Sequence, residues 1–450
     1  MPSSSRLPAC LRFITARNPT VLHRRLATLT TLWTVALWGS LALGLVLGRG
    51  RMNVFTTTPF GEDLLSVHAA GTIMRTSAAE ALYDDDVGRV VQANTIGPMG
   101  REVFNRYMSP PHTAAIFSPL SRLPFALVAW LWAALGLAGV FVVPRLLGAP
   151  HPIRASVLTL SFLPVFDGFA AGQNAICSLF LFALALDRWQ RGRGWQAGLV
   201  LGLVAVYKPH LVAGVALLFL LDARRDPRPL CALVLVLLAF VVVDLVWFPT
   251  QTAHFLAWGT AVVAGDEPLW TQLRPGGELT LVAFLELLLP QAPRAVRHLA
   301  WAGQLGAVIV FVATHHHLRS RAAGLPCRRD DRILYACATL LTLWLTPHAL
   351  LYEWTLLVLP AVVLWVEHPR VRTPLLRVFA LIAVVAPLSL RLARAQIDGL
   401  GMAVHPAIPM LLLGSAVILR QVWRPDWRTR LVRAPVRLAR EAGVPHAPRS

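Results

Sequence analysis

The sequence contains a single lysine, Lys208, which lies in the middle of an apolar stretch from Trp195 to Leu221. Lysines that simply flank a membrane helix lie near its end, where the ammonium group reaches water. A charge placed deeper in a bilayer is costly and by default indicates a functional site. We therefore expect Lys208 either to hold a phosphate or a buried carboxylate at such a site, or to make a purely structural pair.

Three other groups of polar residues lie where their chemistry would be useful. Glu62 and Asp63 stand at the expected start of a helix, where an acidic residue either serves catalysis or stabilises the helix end. Gln173 and Asn174 lie at a turn between two apolar stretches, so their amides either bind a sugar or cap the second helix. His348 lies at a later turn, where it either donates to a phosphate or an acceptor, or accompanies aromatic residues that anchor the chain at the interface.

The remaining candidate ligands do not indicate a metal ion or a cofactor. The run His315–His317 adjoins Arg319 at the end of an apolar stretch, and consecutive residues do not share a helix face. The run Asp84–Asp86 is more typical of a solvated loop. The cysteines form no CxxC pair. The chain also has no phosphate-binding P-loop, dinucleotide fingerprint or GxSxG elbow. We predict neither a metal site nor a cofactor.

The composition indicates the kind of protein that positions these residues. Of 450 residues, 56% are hydrophobic and only 14% are charged, whereas soluble domains contain about 25% charged residues. A net charge of +19 would suit a nucleic-acid partner, but nucleic-acid binders carry their basic residues on one solvated face. Here long charge-free runs separate the basic clusters. We therefore predict an all-α polytopic membrane protein that binds no nucleic acid.

Ten apolar runs approach the roughly 20 residues that a membrane-spanning helix needs. They cover about 26–48, 124–147, 153–171, 173–187, 229–249, 296–318, 333–347, 354–367, 376–391 and 406–422. Arginine predicts their direction: if the N-terminus is cytoplasmic, most arginines fall on cytoplasmic turns, as the positive-inside rule requires. The expected location is the plasma membrane, with both termini cytoplasmic.

The stretch at 195–221 has arginine-rich flanks on both sides, so both flanks should be cytoplasmic. We predict a hairpin of two short arms with Lys208 near its tip, which brings the total to about 10–12 transmembrane helices. Non-helical backbone at such depth is tolerated where protein or a cavity surrounds it. The predicted domains are a basic cytoplasmic segment over 1–25, a membrane domain over 26–422 with non-cytoplasmic loops at about 49–123 and 250–295, and a basic cytoplasmic tail over 423–450.

Six short motifs follow one another in a recognisable order. They are Glu62-Asp63, Leu82-Tyr83-Asp84, Ser109-Pro110-Pro111, Gly172-Gln173-Asn174, Lys208-Pro209, and Pro347-His348 with Tyr352-Glu353. In this order the chain resembles glycosyltransferase family 87, membrane enzymes of the GT-C class that use polyprenyl-phosphate sugars, over residues 26–367. The chain departs from the family pattern at Leu64 and Leu65, at Ser109 and at Glu353. Those departures bear on the sugar and the acceptor more than on the reaction type.

The resemblance implies a GT-C helical bundle and a polyprenyl-phosphate donor that carries mannose or arabinofuranose. It implies transfer on the non-cytoplasmic face to a lipid or glycan acceptor, with Asp63 as the base of an inverting displacement. Because such a reaction needs groups that stabilise the departing phosphate, we assign Lys208 and His348 as candidate contacts of the phosphate or the donor, and Gln173 and Asn174 as contacts of the sugar. Arg122 either contacts the phosphate or only extends to the membrane interface.

Two alternatives stay open at the level of the sequence. A carrier or flippase for a polyprenyl-linked sugar would use Lys208 as a substrate or proton site, and a non-catalytic subunit of an envelope complex would need no polar cavity. If Lys208 lies too deep to reach a phosphate, we expect it to pair with a buried acid such as Asp167 or Asp244.

Overall fold

A computed structural model describes residues 19–76, 78–97, 104–264, 279–289, 291–321, 328–367 and 407–423. In these residues the only strands are a two-residue antiparallel pair, β1 (Met52–Asn53) and β2 (Thr58–Pro59). Helices make up most of the rest, which confirms the predicted all-α class. The predicted span at 376–391 and most of the two basic terminal segments lie outside the described residues.

The helices comprise a first, shorter group between residues 62 and 117 and the remaining helices, most of which are apolar. They are α1 (Pro19–Leu47), α2 (Glu62–Met74), α3 (Asp85–Ile96), α4 (Pro111–Phe117), α5 (Phe125–Leu146), α6 (Pro152–Leu160), α7 (Leu163–Ala170), α8 (Ala175–Gln190), α9 (Gly194–Tyr207), α10 (Ala213–Leu221), α11 (Arg228–Trp247), α12 (Pro249–Ala264), α13 (Leu281–Leu288), α14 (Pro293–Arg321), α15 (Arg328–Leu345), α16 (Val358–Glu367) and α17 (Ala407–Val422). Short 3₁₀ turns lie at Ala79–Ala81, Leu120–Arg122, Pro209–Val212 and Leu351–Leu357.

Four of the described helices are long and apolar enough to span a membrane. They are α1 from Thr28, α5, α11 and α14 as far as Ser320. Their outward faces expose large apolar side chains such as Leu238 and Ile309, as expected where lipid replaces water. The other predicted spans in the described residues are shorter or broken helices.

The predicted span at 153–171 is one of these broken helices. It consists of α6 and α7, which meet at a bend of 70°. Pro164 lies in the first turn of α7, and proline has no N–H with which to continue the hydrogen-bond ladder of α6. The carbonyls of Leu160 and Ser161 instead accept hydrogen bonds from the indoles of Trp38 (2.9 Å) and Trp33 (3.1 Å) on α1. The bend is therefore held by tryptophans from a neighbouring helix.

Turns predicted to lie on the cytoplasmic side meet at one end of the bundle. The contacts join Arg332 to the Leu147 carbonyl, Gln190 to the Arg328 carbonyl, and Arg319 to Asp222. The Leu279 N–H donates to the Ala349 carbonyl (2.7 Å), which joins the predicted non-cytoplasmic loop at 250–295 to the turn that carries His348. These contacts show which turns meet, and the side of the membrane on which each set lies stays a prediction.

The predicted hairpin at 195–221 also folds back on itself. Helices α9 and α11 run side by side in the same direction. Gly194, at the start of α9, lies so close to Asp226 that an added Cβ would be 2.7 Å from it, and Gly202, further along α9, is equally close to Val236 on α11. The chain between them must return to the level at which α9 begins. Lys208 lies at the break, between α9 and the 3₁₀ turn that leads into α10.

Candidate functional site

Asp63 is positioned by the docking of α2 against the end of α7. Gly61 precedes α2 in a left-handed conformation, with φ of +77°, which glycine adopts without steric cost. Its N–H donates to the Ala170 carbonyl (3.0 Å), and the Asp63 N–H donates to the Ala171 carbonyl (2.9 Å). The first turn of α2 therefore lies against the turn that carries Gln173.

The Asp63 carboxylate accepts hydrogen bonds from two side-chain amides. Gln173 Nε2 lies 2.7 Å from one oxygen, and Asn105 Nδ2 lies 3.4 Å from the other. Asn105 is itself fixed by Gln92, which exchanges two hydrogen bonds with the Asn105 backbone (3.0 and 2.7 Å). The sequence analysis missed Asn105, because an isolated asparagine in a long loop carries no signal of its role.

Lys208 is paired with a buried carboxylate. Its Nζ lies 2.7 Å from Glu353 Oε1 and 3.5 Å from Gln173 Oε1, and it lies 5.0 Å from the centroid of the Tyr352 ring. Glu353 is 2% exposed, and its other oxygen accepts from the Leu350 N–H (2.8 Å). The ammonium group thus has the anionic partner that its depth requires.

The expected pairing of Lys208 with Asp244 was wrong. Asp244, on α11, instead binds His112 on α4, through the imidazole Nδ1 (2.7 Å) and the His112 backbone N–H (3.0 Å). Glu353 is brought beside Lys208 because the 3₁₀ turn at 351–357 packs against α7 and α8, which flank Gln173. The Tyr352-Glu353 motif was noted in the sequence, but nothing there linked it to Lys208.

Gln173 joins these contacts into one polar chain. Its amide nitrogen faces Asp63 and its amide oxygen faces Lys208, so the flanking charges determine which way the amide points. The structure therefore brings Asp63, Gln173, Lys208 and Glu353 together from α2, the α7–α8 turn, the α9–α10 break and the 3₁₀ turn before α16. A carboxylate base and an ammonium group are both presented within a single cluster.

The other predicted residues occupy different surroundings. Asn174 precedes α8 without capping it, and its Oδ1 is buried with no hydrogen-bond partner in the described part of the chain. His348 is half-buried in the segment between α15 and the next 3₁₀ turn, where its carbonyl accepts from Thr346 Oγ1 (2.7 Å). It lies near enough to His210, two residues after Lys208, for their charges to interact.

Arg122 lies apart from the polar chain. It is exposed at the end of the Leu120–Arg122 turn, and its neighbour Ser121 accepts a hydrogen bond from Arg75 (2.9 Å) just beyond the C-terminal end of α2. Asp63 lies in the first turn of the same helix. At 1.5 Å of rise per residue, the two ends of α2 are roughly 18 Å apart, so Arg122 does not extend the cluster around Asp63.

The two carboxyl groups at the start of α2 titrate near neutral pH. Burial raises the pKa of Asp63 to about 6, while the hydrogen bond from Gln173 and the charge of Lys208 act in the opposite direction and the charge of Glu353 raises it further. Burial and the neighbouring Asp63 raise the pKa of Glu62 to about 7. Asp63 is therefore mostly ionised at pH 7 and is a stronger base than an ordinary aspartate, as general-base chemistry requires.

A family model, glycosyltransferase family 87, matches residues 107–347, which is more than half of the chain. The chain belongs to glycosyltransferase family 87. The matched range contains Gln173 and Lys208, whereas Asp63 and Glu353 lie outside it. In this family 87 protein the polar chain connects the residues outside the matched range to those inside it. Family membership and the long apolar helices identify a multi-pass membrane protein.

One curated relative of this family 87 protein is the polyprenol-phosphate-mannose-dependent alpha-(1-2)-phosphatidylinositol pentamannoside mannosyltransferase of Mycolicibacterium smegmatis. The two are 34% identical over 133 residues, which is 27% of this chain and 31% of the relative. The chain thus aligns with about a third of the length of that relative. No solved structure matches the chain.

Proposed function

We propose that this family 87 protein transfers a sugar, most simply mannose, from a polyprenyl-phosphate donor to a hydroxyl group of a lipid-linked glycan. The observation that carries the proposal is the chain from Asp63 through Gln173 to Lys208, in which one amide contacts both a carboxylate and an ammonium group. The donor named for the mycobacterial relative supports this donor class, and the acceptor in its name is a mannosylated lipid.

The proposed reaction is a direct displacement at the anomeric carbon. Asp63 accepts the proton of the acceptor hydroxyl as that oxygen forms the new bond to the anomeric carbon. The bond from that carbon to the phosphate oxygen breaks on the opposite face, so the configuration inverts and polyprenyl phosphate leaves with the electron pair. A positioned general base typically accelerates such a step by about 10²–10⁴-fold.

Asn105 and Gln173 hold Asp63 in place for this step, and Lys208 serves the leaving group. The ammonium group of Lys208 has three protons; one faces Glu353 and one faces Gln173, which leaves a third for the donor phosphate, where charge develops. His348 is the proposed second phosphate contact, and the unpartnered Oδ1 of Asn174 is the proposed acceptor for a hydroxyl group of the donor sugar.

The proposed location of the reaction is the non-cytoplasmic face of the plasma membrane. Asp63 lies on α2, between α1 and α5, whereas Arg319, Arg328 and Arg332 belong to segments that contact Asp222, Gln190 and the Leu147 carbonyl. Because arginine-rich turns are retained in the cytoplasm, this arrangement supports cytoplasmic termini and a catalytic loop on the opposite face.

The proposal predicts that Asp63→Asn removes transfer and leaves the fold and donor binding intact. Asparagine preserves the size of the side chain but cannot accept the proton, so the rate with labelled polyprenyl-phosphate mannose should fall about 10²–10⁴-fold. The matched control is Asp86→Asn, a change to an exposed aspartate on α3, which should transfer normally. Full activity of Asp63→Asn would rule out the assigned base, and transport of the donor without a new glycosidic bond would indicate a carrier.

A further inference from the structure

A cavity of about 690 Å³ lies between α12 and two segments that precede α5, at residues 80–84 and 106–107. Gln251, in the first turn of α12, donates to the Ala79 carbonyl (3.2 Å) and so holds the two walls together. The polar and aromatic residues that line the cavity include Glu80, Tyr83, Asp84, Arg106, Tyr107 and Trp258. Its volume falls within the range of about 300–1,000 Å³ that is typical of small-molecule sites.

One side of this cavity is bordered by a row of aromatic rings. Ring centroids are separated by 6.2 Å from Trp258 to Phe255, 5.9 Å from Phe255 to Tyr83, and 5.8 Å from Tyr83 to Tyr107. The two tyrosine hydroxyl groups donate to the backbone carbonyls of residues 109 and 110 (2.8 Å each). Because the rings are fixed before any ligand arrives, binding pays little for ordering them. Flat apolar rings with polar edges suit the apolar face of a sugar ring.

The charges in the cavity favour an uncharged ligand over a phosphate. Arg106 is neutralised by Asp85, with 2.8 Å between Nε and Oδ1, whereas Glu80 and Asp84 add two further carboxylates to the lining. An anionic ligand would be repelled by this excess of negative charge. Ionised carboxylates accept hydrogen bonds only, and hydroxyl groups donate them, so a neutral polyol matches the lining.

Two residues that line the cavity follow, in the sequence, the residue that contacts the proposed base Asp63. Arg106 and Tyr107 directly follow Asn105, the residue whose amide nitrogen lies 3.4 Å from Asp63. We infer that the cavity binds an uncharged sugar unit of the acceptor, with Trp258 and Tyr83 beneath the ring and Glu80 on its hydroxyl groups. This inference rests on the proposed function, and it says where a sugar unit of the lipid-linked glycan acceptor is held.

Two variants test the inference on the intact protein in detergent. Trp258→Leu removes the ring, and Glu80→Gln removes a charge from an exposed side chain with little risk to folding. Each should raise KM for a glycosylated acceptor about tenfold and leave KM for the polyprenyl-phosphate donor within twofold. Trp301→Leu is the matched control, because Trp301 is 64% exposed on α14, and it should change neither constant.

A binding measurement separates this inference from the proposed function. Saturation-transfer NMR with mannotriose should show binding to the unaltered chain and to Asp63→Asn, and loss of binding in Trp258→Leu, whether or not transfer occurs. In the unaltered chain, binding of mannotriose without any transfer from the polyprenyl-phosphate donor would refute the proposed function and support the saccharide site. Absence of mannotriose binding, equal binding in Trp258→Leu, or an increase in the donor KM alone would overturn the inference.

Discussion

The proposed role of Asp63 as a base depends on two opposing effects on its pKa, which burial raises and hydrogen bonding lowers. Burial raises its pKa to about 6, and the hydrogen bond from Gln173 limits the rise by stabilising the charged form. A fully solvated aspartate would be a weak base, and a fully buried one without donors would stay protonated at pH 7. The amide of Gln173 is therefore expected to set the pH at which the base becomes active.

The pH profile of Gln173→Leu tests this role of the amide. Asp63 must lose its proton to act, so kcat/KM should fall as the pH drops below its pKa, with the acid limb of the unaltered chain near pH 6. A hydrogen bond to a charged group contributes about 1.5–3 kcal/mol, so its loss should move the limb up by about one to two pH units. Gln304→Leu on α14 is the control; an acid limb that stays in place in Gln173→Leu would show that the amide does not act on Asp63.

Variants of the ion pair between Lys208 and Glu353 give a second test of the roles of single residues. Because Glu353 is 2% exposed, Lys208→Met should leave a buried charge without a partner and lower the free energy of unfolding by about 3–5 kcal/mol. Adding Glu353→Gln should restore much of that stability, as measured by thermal unfolding, while transfer stays low because the phosphate has lost its cation. Recovery of transfer together with stability would make the pair purely structural.

The chemistry of single residues could be predicted better than their partners. A lone lysine in an apolar stretch calls for an anion, and a pair with a buried carboxylate was one of the alternatives that the sequence left open. The acid that fills it lies 145 residues away along the chain, and no spacing rule connects the two positions. Asn105 had no signal at all, since its role arises from the fold of its loop against Gln92.

At the scale of elements, the apolar runs predicted where helices lie but not where they break. Most expected spans in the described residues correspond to a helix, and the hairpin at 195–221 followed from arginine on both flanks. The bend between α6 and α7 did not follow, because it depends on Trp33 and Trp38 of α1 as well as on Pro164. Contacts from a helix that is distant in the sequence replace the backbone hydrogen bonds that are lost at the bend. The hydrophobic pattern of the bent segment itself carries no information about those contacts.

The turn between α7 and α8 gives a prediction that belongs to this scale. Gly172 has φ of +71°, and a Cβ there would lie 2.8 Å from Gly61 Cα, so Gly172→Ala should push α2 away from the turn. The matched control is Gly192→Ala, which has φ of +72° but nothing within 4 Å of the added atom. Both variants bear the backbone cost of about 1–2 kcal/mol, and the clash should cost Gly172→Ala a further 1–3 kcal/mol or so.

The two glycine variants should differ in their transfer kinetics in addition to their stability. Displacing the turn should separate Gln173 from Asp63, so kcat/KM should fall at least about tenfold in Gly172→Ala and stay near normal in Gly192→Ala, since a small displacement of a catalytic group has a large effect on rate. Equal losses in both variants would show that the close approach of Gly172 to Gly61 does not position the base.

At the scale of the whole molecule, two clusters of charged residues join different elements. The network of Arg319, Asp222 and Asp331 ties α10, α14 and α15 together. The polar chain of the proposed site joins Asp63 on α2 to Lys208 and Glu353 through Gln173. In the proposed orientation, the arginine-rich turns that contribute much of the net charge of +19 lie in the cytoplasm and the site lies on the opposite face. This sidedness is testable.

Cysteine labelling tests this sidedness directly. In a background without Cys10, Cys177, Cys231, Cys327 and Cys337, one variant carries Asp86→Cys on α3 and another carries Asp226→Cys beside the start of α11. A maleimide that does not cross membranes should label position 86 in intact spheroplasts, and position 226 only after permeabilisation, because the arginine-rich turns are retained in the cytoplasm. The reverse pattern would invert the proposed orientation and move Asp63 to the cytoplasmic face. Labelling of both positions from outside would mean that the flanks of the hairpin do not share the cytoplasmic side.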